Sequence, residues 1–242
     1  MIQQQLITLI LPCRNEEKAL PVLASLLPKG IDEVIVVDNG SKDNTVSVAK
    51  RLGFRVFAED RHVKGIGYGY ALQKGILNAR GDIIICMDGD GSYPVNDTPR
   101  LISHLLSEKL DFISCNRLPF TNPKDMSFIR KTGVIILNTT ILALYGKIVH
   151  DSLTGMWVFK KEKINQLRFM EGGWDFSLEI KLRALTSPDI AYEEVHIPYK
   201  DRVLGNSKQK IFQTGFNHFK YLWKFKAEQL YSVARTSRPS YS

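Results

Sequence analysis

The sequence predicts an α/β protein, a mostly parallel sheet with helices on both faces. Two observations predict it. Short Ile- and Val-rich runs alternate with segments of helical spacing through the first half of the chain. The residues just after those runs are mostly polar, acidic or glycine. A β-α-β-α alternation implies parallel strands, and ligands of such sheets bind beyond the strands' carboxyl ends.

Leu6–Leu11, Glu33–Val37, Arg55–Ala58, Asp82–Met87 and Asp111–Cys115 read as buried strands. Glu16–Leu27, Asp43–Leu52, Gly67–Ala79 and Pro99–Glu108 read as helices, with Asn15 expected to cap the first and Asp43 or Asn44 the second. Leu118–Ser127, with two prolines, reads as a long connection of the kind that closes over sites. Beyond it the sequence predicts a helix over Phe128–Tyr145, a strand near Met156–Phe159, a helix over Asp175–Leu185, a strand near Ile190–Ile197 and a final helix over Phe212–Val233. The chain divides into a domain over residues 1–211 and a basic amphipathic helix and tail over 212–242.

Of 242 residues, 44% are hydrophobic and 24% charged, the balance of a globular protein with a full core. Three scattered cysteines argue against a disulfide framework or zinc site and suit a reducing, cytoplasmic setting. The first eleven residues lack the basic region of a signal peptide. The longest apolar stretch, Val134–Tyr145, is broken by Asn138, Thr139 and Thr140 and falls short of the ~20 residues that cross a bilayer. Net charge is +8, and from Lys200 onward nine Lys or Arg face two acids, 9 − 2 = +7. Such a tail suits phosphates or an anionic surface. No recognition-helix pattern or interleaved basic-aromatic strand accompanies it, so no nucleic-acid partner is expected.

Asp88-Gly89-Asp90 directly follows the buried run Ile83–Met87. Side chains two apart on an extended backbone point the same way, and two converging carboxylates need a cation between them. Hard oxygen ligands suit Mg²⁺ or Mn²⁺. Asp38 could accept hydrogen bonds from a nucleobase or ribose, whereas Asp43 reads as a helix cap. Glu16 reads either as a nucleoside ligand or as a complement to a helix N-terminus. Gly65-Ile66-Gly67-Tyr68-Gly69 lacks dinucleotide-fingerprint spacing but suits a glycine-rich helix start near phosphates. Arg117, Arg130, Lys131, Arg202 and Lys208 are candidate phosphate ligands, and Asp151 a candidate general base or acceptor-positioning group.

In order along the chain, Leu11-Pro12-Cys-Arg-Asn15-Glu16-Glu17, Val37-Asp38-Asn39-Gly40-Ser41, Gly65-x-Gly67, Met87-Asp88-Gly89-Asp90, Asn116-Arg117, Asp151-Ser-Leu-Thr154-Gly155 and Arg202-x-x-Gly205-x-Ser207-Lys208 resemble the family 2 glycosyltransferases. The closest likeness is to the dolichyl- and polyprenyl-phosphate branch. The resemblance implies a GT-A fold and inverting transfer of a hexose from a nucleoside-diphosphate sugar, of the GDP-mannose or UDP-glucose type, to a polyprenyl or dolichyl phosphate or, alternatively, to a soluble or glycan acceptor. It implies that Pro12, Glu16, Val37 and Asp38 contact the nucleoside, and that Asp88, Gly89 and Asp90 meet the diphosphate, the two aspartates holding the metal. It further implies that Arg117 engages the donor phosphates and that Arg130, Arg202, Ser207 and Lys208 serve the acceptor phosphate. Asp88, Asp90, Arg117 and Asp151 form the expected catalytic set. Asn39 stands where many relatives carry a second aspartate, Gly89 where alanine is frequent, Ser92 where a polar amide is common, and Gly133 where a small hydroxyl residue occurs.

Phe212, Phe216, Phe219, Trp223, Ala227 and Leu230 recur at helical spacing beside Lys220 and Lys224. They predict a helix that either lies on a membrane surface, bringing the enzyme to a lipid-phosphate acceptor, or packs on the domain. A membrane-protein partner or a homo-oligomer is compatible with either.

Overall fold

A computed structural model describes residues 5–63, 65, 67–119, 128–199 and 211–236, leaving aside the side chains of Arg130, Ile211, Phe212 and residues 232–236. Seven strands form one sheet: β1 (Ile7–Cys13), β2 (Glu33–Asp38), β3 (Arg55–Ala58), β4 (Ile83–Cys86), β5 (Phe112–Asn116), β6 (Trp157–Lys160) and β7 (Tyr192–His196). Their order is β3-β2-β1-β4-β6-β5-β7. All neighbours are parallel except that β6 runs antiparallel between β4 and β5. The order turns back between β1 and β4, the switch point where open α/β sheets bind ligands.

Eight helices accompany the described strands: α1 (Ala19–Ser25), α2 (Thr45–Arg51), α3 (Tyr68–Asn78), α4 (Thr98–Ser107), α5 (Phe128–Tyr145), α6 (Lys161–Ile164), α7 (Phe176–Thr186) and α8 (Ile211–Thr236). The period of two along each strand sorts the core into layers. Leu9, Leu11, Val36, Ile83 and Ile85 pack on one face against Leu20 and Leu23 of α1, Val48 of α2 and Leu101 and Leu105 of α4. Ile10, Ile35, Val37, Ile84 and Cys86 pack on the other against Leu72 and Ile76 of α3 and Phe176 and Ile180 of α7. Helices therefore cover both faces, as the alternation predicts.

A third cluster joins Leu137 and Ile141 of α5, Leu178 and Leu182 of α7, and Tyr221, Leu222 and Phe225 of α8. The expected division between 211 and 212 thus falls in the first turn of a helix whose inner face shares core with two others. Among the described residues no helix is long and apolar enough to cross a membrane.

The expected Asn15 cap is replaced by another bond, whereas Asp43 accepts the first N–H of α2 as expected of a cap. The residue preceding α1 is Lys18, and Asn15 adopts a positive φ of 56° with its side-chain oxygen accepting from the Lys42 N–H at 2.7 Å. Asn15 ties the loop after β1 to the loop after β2 rather than capping a helix. Asn44 precedes α2 without a side-chain cap, while Asp43 accepts from the Thr45 N–H and hydroxyl at 3.0 and 2.5 Å. Helix α6 was not expected from the sequence.

Candidate active site

Parallel pairing brings the ends of β1, β2 and β4 to one edge, with Pro12 opposite Val37 and Cys13 opposite Asp38. Antiparallel β6 starts at that same edge, because Trp157 pairs with both Cys86 and Ser114. Asp151–Gly155, just before β6, therefore meets the ends of β4 and β5. One crevice collects Pro12–Glu16, Asp38–Ser41, Asp88–Ser92, Asn116–Arg117 and Asp151–Gly155.

On the β4 turn, Asp90 is buried and accepts from the Ser92 N–H and hydroxyl at 3.0 and 2.6 Å. Asp88 accepts from the Tyr68 hydroxyl at 2.9 Å. A Cβ on Gly155 would lie 3.0 Å from one Asp88 oxygen and 3.1 Å from the Tyr68 oxygen, so this backbone closes directly over the carboxylate. Gly89 has a packing reason: a Cβ there would stand 2.4 Å from the Cys13 sulfur. Two hard carboxylates on one turn could hold a divalent ion. Among the described residues no group of three or more His, Cys, Asp or Glu converges. That donor set fits Mg²⁺ or Mn²⁺, which take one or two carboxylates and complete their shell from phosphate oxygens and water.

Arg117 and Asp151 form a buried, two-pronged ion pair, with Nε–Oδ2 at 2.7 Å and Nη2–Oδ1 at 2.9 Å. The Arg117 N–H adds a third bond to the same carboxylate at 3.1 Å. Burial pushes the Asp151 carboxyl upward, but Arg117, its hydrogen bonds and Lys181 outweigh this and hold it below the ordinary range. Asp151 is thus an ionised partner that aims Arg117, whose guanidinium lies over the Tyr199 ring at 5.2 Å. The turn carrying Asp151 is pinned from three elements. Asn138 of α5 donates to the His150 carbonyl at 2.7 Å, and its oxygen accepts from the Ser152 N–H at 3.2 Å. Glu194 of β7 accepts from the His150 N–H at 2.6 Å, and Lys181 of α7 donates to the Asp151 carbonyl at 3.0 Å and to that of Ser152. The asparagine that breaks the apolar run of α5 is therefore a structural ligand of the site.

On the β2 side Asp38 is buried, and its two oxygens accept from the Ser41 N–H at 3.3 and 3.2 Å. Asn39 uses both ends of its amide: it donates to the Glu59 carbonyl at 2.7 Å and accepts from the Gly67 N–H at 3.1 Å. A carboxylate could make only the second bond, which explains an amide here. Glu16 is buried, with its N–H donating to the Thr45 hydroxyl at 2.8 Å. The Val37 side chain is wholly in the core, so only its main chain is left to face a ligand. Arg202, Ser207 and Lys208 lie outside the described residues, as do residues 120–127 of the expected closing loop and the side chain of Arg130.

Sequence reasoning missed four aromatic residues. Tyr68 bonds Asp88 and packs on Trp174 at 4.8 Å between ring centroids. Tyr93 is buried, its hydroxyl oxygen accepts from the Gly155 N–H at 2.6 Å, and its ring meets Tyr199 at 5.3 Å. The positions of Tyr68 and Tyr93 beside the glycine-rich and Asp-Gly-Asp motifs were the available signal.

Comparison with known proteins agrees with this geometry. The family model described as glycosyl transferase family 2 matches residues 8–168. A dolichyl-phosphate hexose transferase of Haloferax volcanii is 31% identical over 205 residues, 83% of this chain and 85% of that protein. A UDP-N-acetylglucosamine–dolichyl-phosphate N-acetylglucosaminyltransferase of Methanococcus voltae is 30% identical over 185 residues, 67% of this chain and 72% of that one. Among solved structures, glucosyl-3-phosphoglycerate synthase from Mycobacterium tuberculosis, in complex with Mn²⁺, UDP-glucose and phosphoglyceric acid, superposes with a TM-score of 0.74 at 20% identity, covering 92% of this chain and 80% of that one. That likeness supports the GT-A fold. Because the matched span runs from β1 through α6 and contains every strand end that builds the crevice, the chain belongs to glycosyl transferase family 2.

Proposed function

We propose that this glycosyltransferase is metal-dependent and inverting, and that it moves a hexose from a nucleoside-diphosphate sugar to a polyprenyl or dolichyl phosphate. The observation that carries the reading is the meeting of Asp88 and Asp90 with the ion-paired Arg117 in one crevice at the sheet's switch point. Asp38 and Glu16 serve the nucleoside, and Asp88 and Asp90 hold the ion that neutralises the leaving diphosphate. Arg117 stays charged when buried because Asp151 pairs with it, so it offers a fixed cation to phosphate oxygens. An acceptor phosphate monoester, with a second pKa near ~6, is already anionic near neutral pH. Its oxygen bonds to the anomeric carbon as the bond to the diphosphate oxygen breaks, and no proton needs to be removed. This suits a site whose Asp151 is an ion-pair partner. The names of the relatives that act on dolichyl phosphate support the lipid acceptor.

A membrane-surface location follows from the same reading. Helix α8 has two faces: Tyr221, Leu222 and Phe225 pack inward, while Phe216, Phe219, Trp223 and Leu230 are exposed beside Lys220 and Lys224. Helix α5 adds exposed Phe128, Ile129, Ile135, Ile136 and Leu142. Such outward apolar faces flanked by lysines suit an anionic lipid surface.

Donor assays with GDP- and UDP-hexoses, with and without Mn²⁺, test the donor and the metal. Asp90→Ala is expected to lower kcat/KM by about a thousandfold, ~4 kcal/mol of transition-state stabilisation. Offering dolichyl phosphate and phosphoglycerate in parallel tests the acceptor. Transfer to the soluble acceptor alone would overturn the lipid reading, and anomeric NMR of the product would report inversion.

A further inference from the structure

The Asp88 carboxylate is linked to the C-terminal helix through a short series of contacts. The Tyr68 hydroxyl donates to it at 2.9 Å, and Tyr68 lies against Trp174, within the segment Met170–Asp175 that leads into α7. That segment is locked to the start of α3. The Gly172 carbonyl accepts from the N–H groups of Gly69 and Tyr70 at 2.9 and 3.2 Å, and the Glu171 carbonyl accepts from Gln73 at 2.8 Å. The two backbones meet so closely that a Cβ on Gly69 would stand 2.6 Å from the Glu171 carbonyl oxygen, and one on Gly172 2.2 Å from the Tyr70 ring. On its other side the segment is held by α8. Lys224 bonds the Glu171 carboxylate at 2.7 Å. Buried His218 approaches Asp175 to 2.7 Å, Nδ1 to Oδ1, although the ring is not aligned for a good hydrogen bond.

We propose that Tyr68 is a positioning residue for Asp88 and that α8, through His218 and Lys224, holds the Met170–Asp175 segment that keeps Tyr68 in place. The proposal rests on the reading of Asp88 as a metal-holding carboxylate. The phenol fixes one Asp88 oxygen and with it the rotamer of the side chain, leaving the carboxylate oriented before the ion and diphosphate arrive. Groups that orient a metal-holding carboxylate in this way affect metal affinity about 10- to 100-fold. The C-terminal helix is then part of the donor site as well as a candidate membrane face.

The test uses the full chain, because α8 completes a core cluster. Mn²⁺ binding is read by electron paramagnetic resonance, alone and with UDP, beside thermal melting. Tyr68→Phe keeps the ring packing and removes the donor, and it is expected to weaken Mn²⁺ binding about tenfold with Tm held within a degree or two. Combined His218→Ala and Lys224→Met is expected to weaken it about threefold. The triple variant should be no weaker than Tyr68→Phe alone, since the effects share one route. Mn²⁺ affinity in Tyr68→Phe within twofold of the parent, or independent multiplication of the two effects, overturns the proposal. Asp88→Asn separates the two readings. If it loses Mn²⁺ while Tyr68→Phe does not, only the positioning role fails; if it binds Mn²⁺ like the parent, the carboxylate reading fails with it.

Discussion

The two halves of the molecule build their share of the crevice by different means. From β1 to α4, site residues sit at the ends of parallel strands and are held mainly by the backbone of neighbouring loops: Asn15 to Lys42, Asp38 to Ser41, Asn39 to Glu59 and Gly67. From β5 onward the crevice wall is held largely by buried charge. Arg117 pairs with Asp151, Lys181 with the carbonyls behind it, and Glu194 with the N–H of His150. In the first half the buried Asp38 and Asp90 carboxylates are each met by a neighbouring backbone N–H, from Ser41 and Ser92, so no distant charge is needed to hold them. Buried charge carries a desolvation penalty, met only when every partner is present. The first half should therefore tolerate the loss of one partner better than the second.

Beyond the loss of activity expected for Asp90→Ala, the largest break in stability is expected in the second half. Asp151→Ala leaves the buried Arg117 guanidinium without its counter-charge and is expected to cost ~3–5 kcal/mol in urea unfolding. Adding Arg117→Met should recover much of that stability while leaving the enzyme inactive, which would separate the pair's structural cost from its proposed function. In the first half, Asn39→Asp installs the second aspartate common among relatives but loses the donor to the Glu59 carbonyl. The expected cost is about 1–3 kcal/mol by the same measurement. A cost as large as that of Asp151→Ala would erase the contrast between the halves.

The remaining effect concerns pH. Burial pushes the Lys181 ammonium down from 10.5 to about 7, against the opposing pull of Asp151 and Glu194. Below pH 7 both folded and unfolded chains carry this proton, and the cost of burying the charge is fully present. Between pH 7 and 10.5 the unfolded chain binds the extra proton, so this group makes stability rise with pH. Tm measured from pH 6.5 to 10 should show that rise in the parent relative to Lys181→Met, and equal slopes would refute it.

The halves also differ in how legible they are. The alternation of apolar runs and helical spacing placed β1 to β5 and α1 to α4, because a strand buried on both faces must be apolar throughout and its ligand-facing end must not be. Asp38, Asp88 and Asp90 could be found by that rule alone. The insertion of β6 between β4 and β5 could not, since nothing in a four-residue strand gives its neighbours or direction. The pairing of Arg117 with Asp151 is 34 residues apart and depends on that insertion. Asn138 looked like an interruption in an apolar helix because its partners, His150 and Ser152, belong to a turn that α5 meets only in the folded chain. Tyr68 reads as part of a glycine-rich helix start because its hydroxyl's partner lies 20 residues away on the turn after β4.

The antiparallel strand also constrains the order in which the protein becomes competent. Strand β4 ends at Cys86, but its neighbour begins at Trp157, so one side of β4 lacks its partner until some seventy further residues have been made. A nascent chain can pair β1, β2, β3 and β4 early, yet it has no Arg117–Asp151 clamp and no Gly155 over Asp88 until β6 enters the sheet. Pairing between segments so far apart in sequence also costs more loop-closure entropy than pairing of neighbours. The Arg117–Asp151 clamp is therefore assembled only once the chain has been made through Lys160, and a shorter nascent chain holds the acidic turn without the residues that meet it.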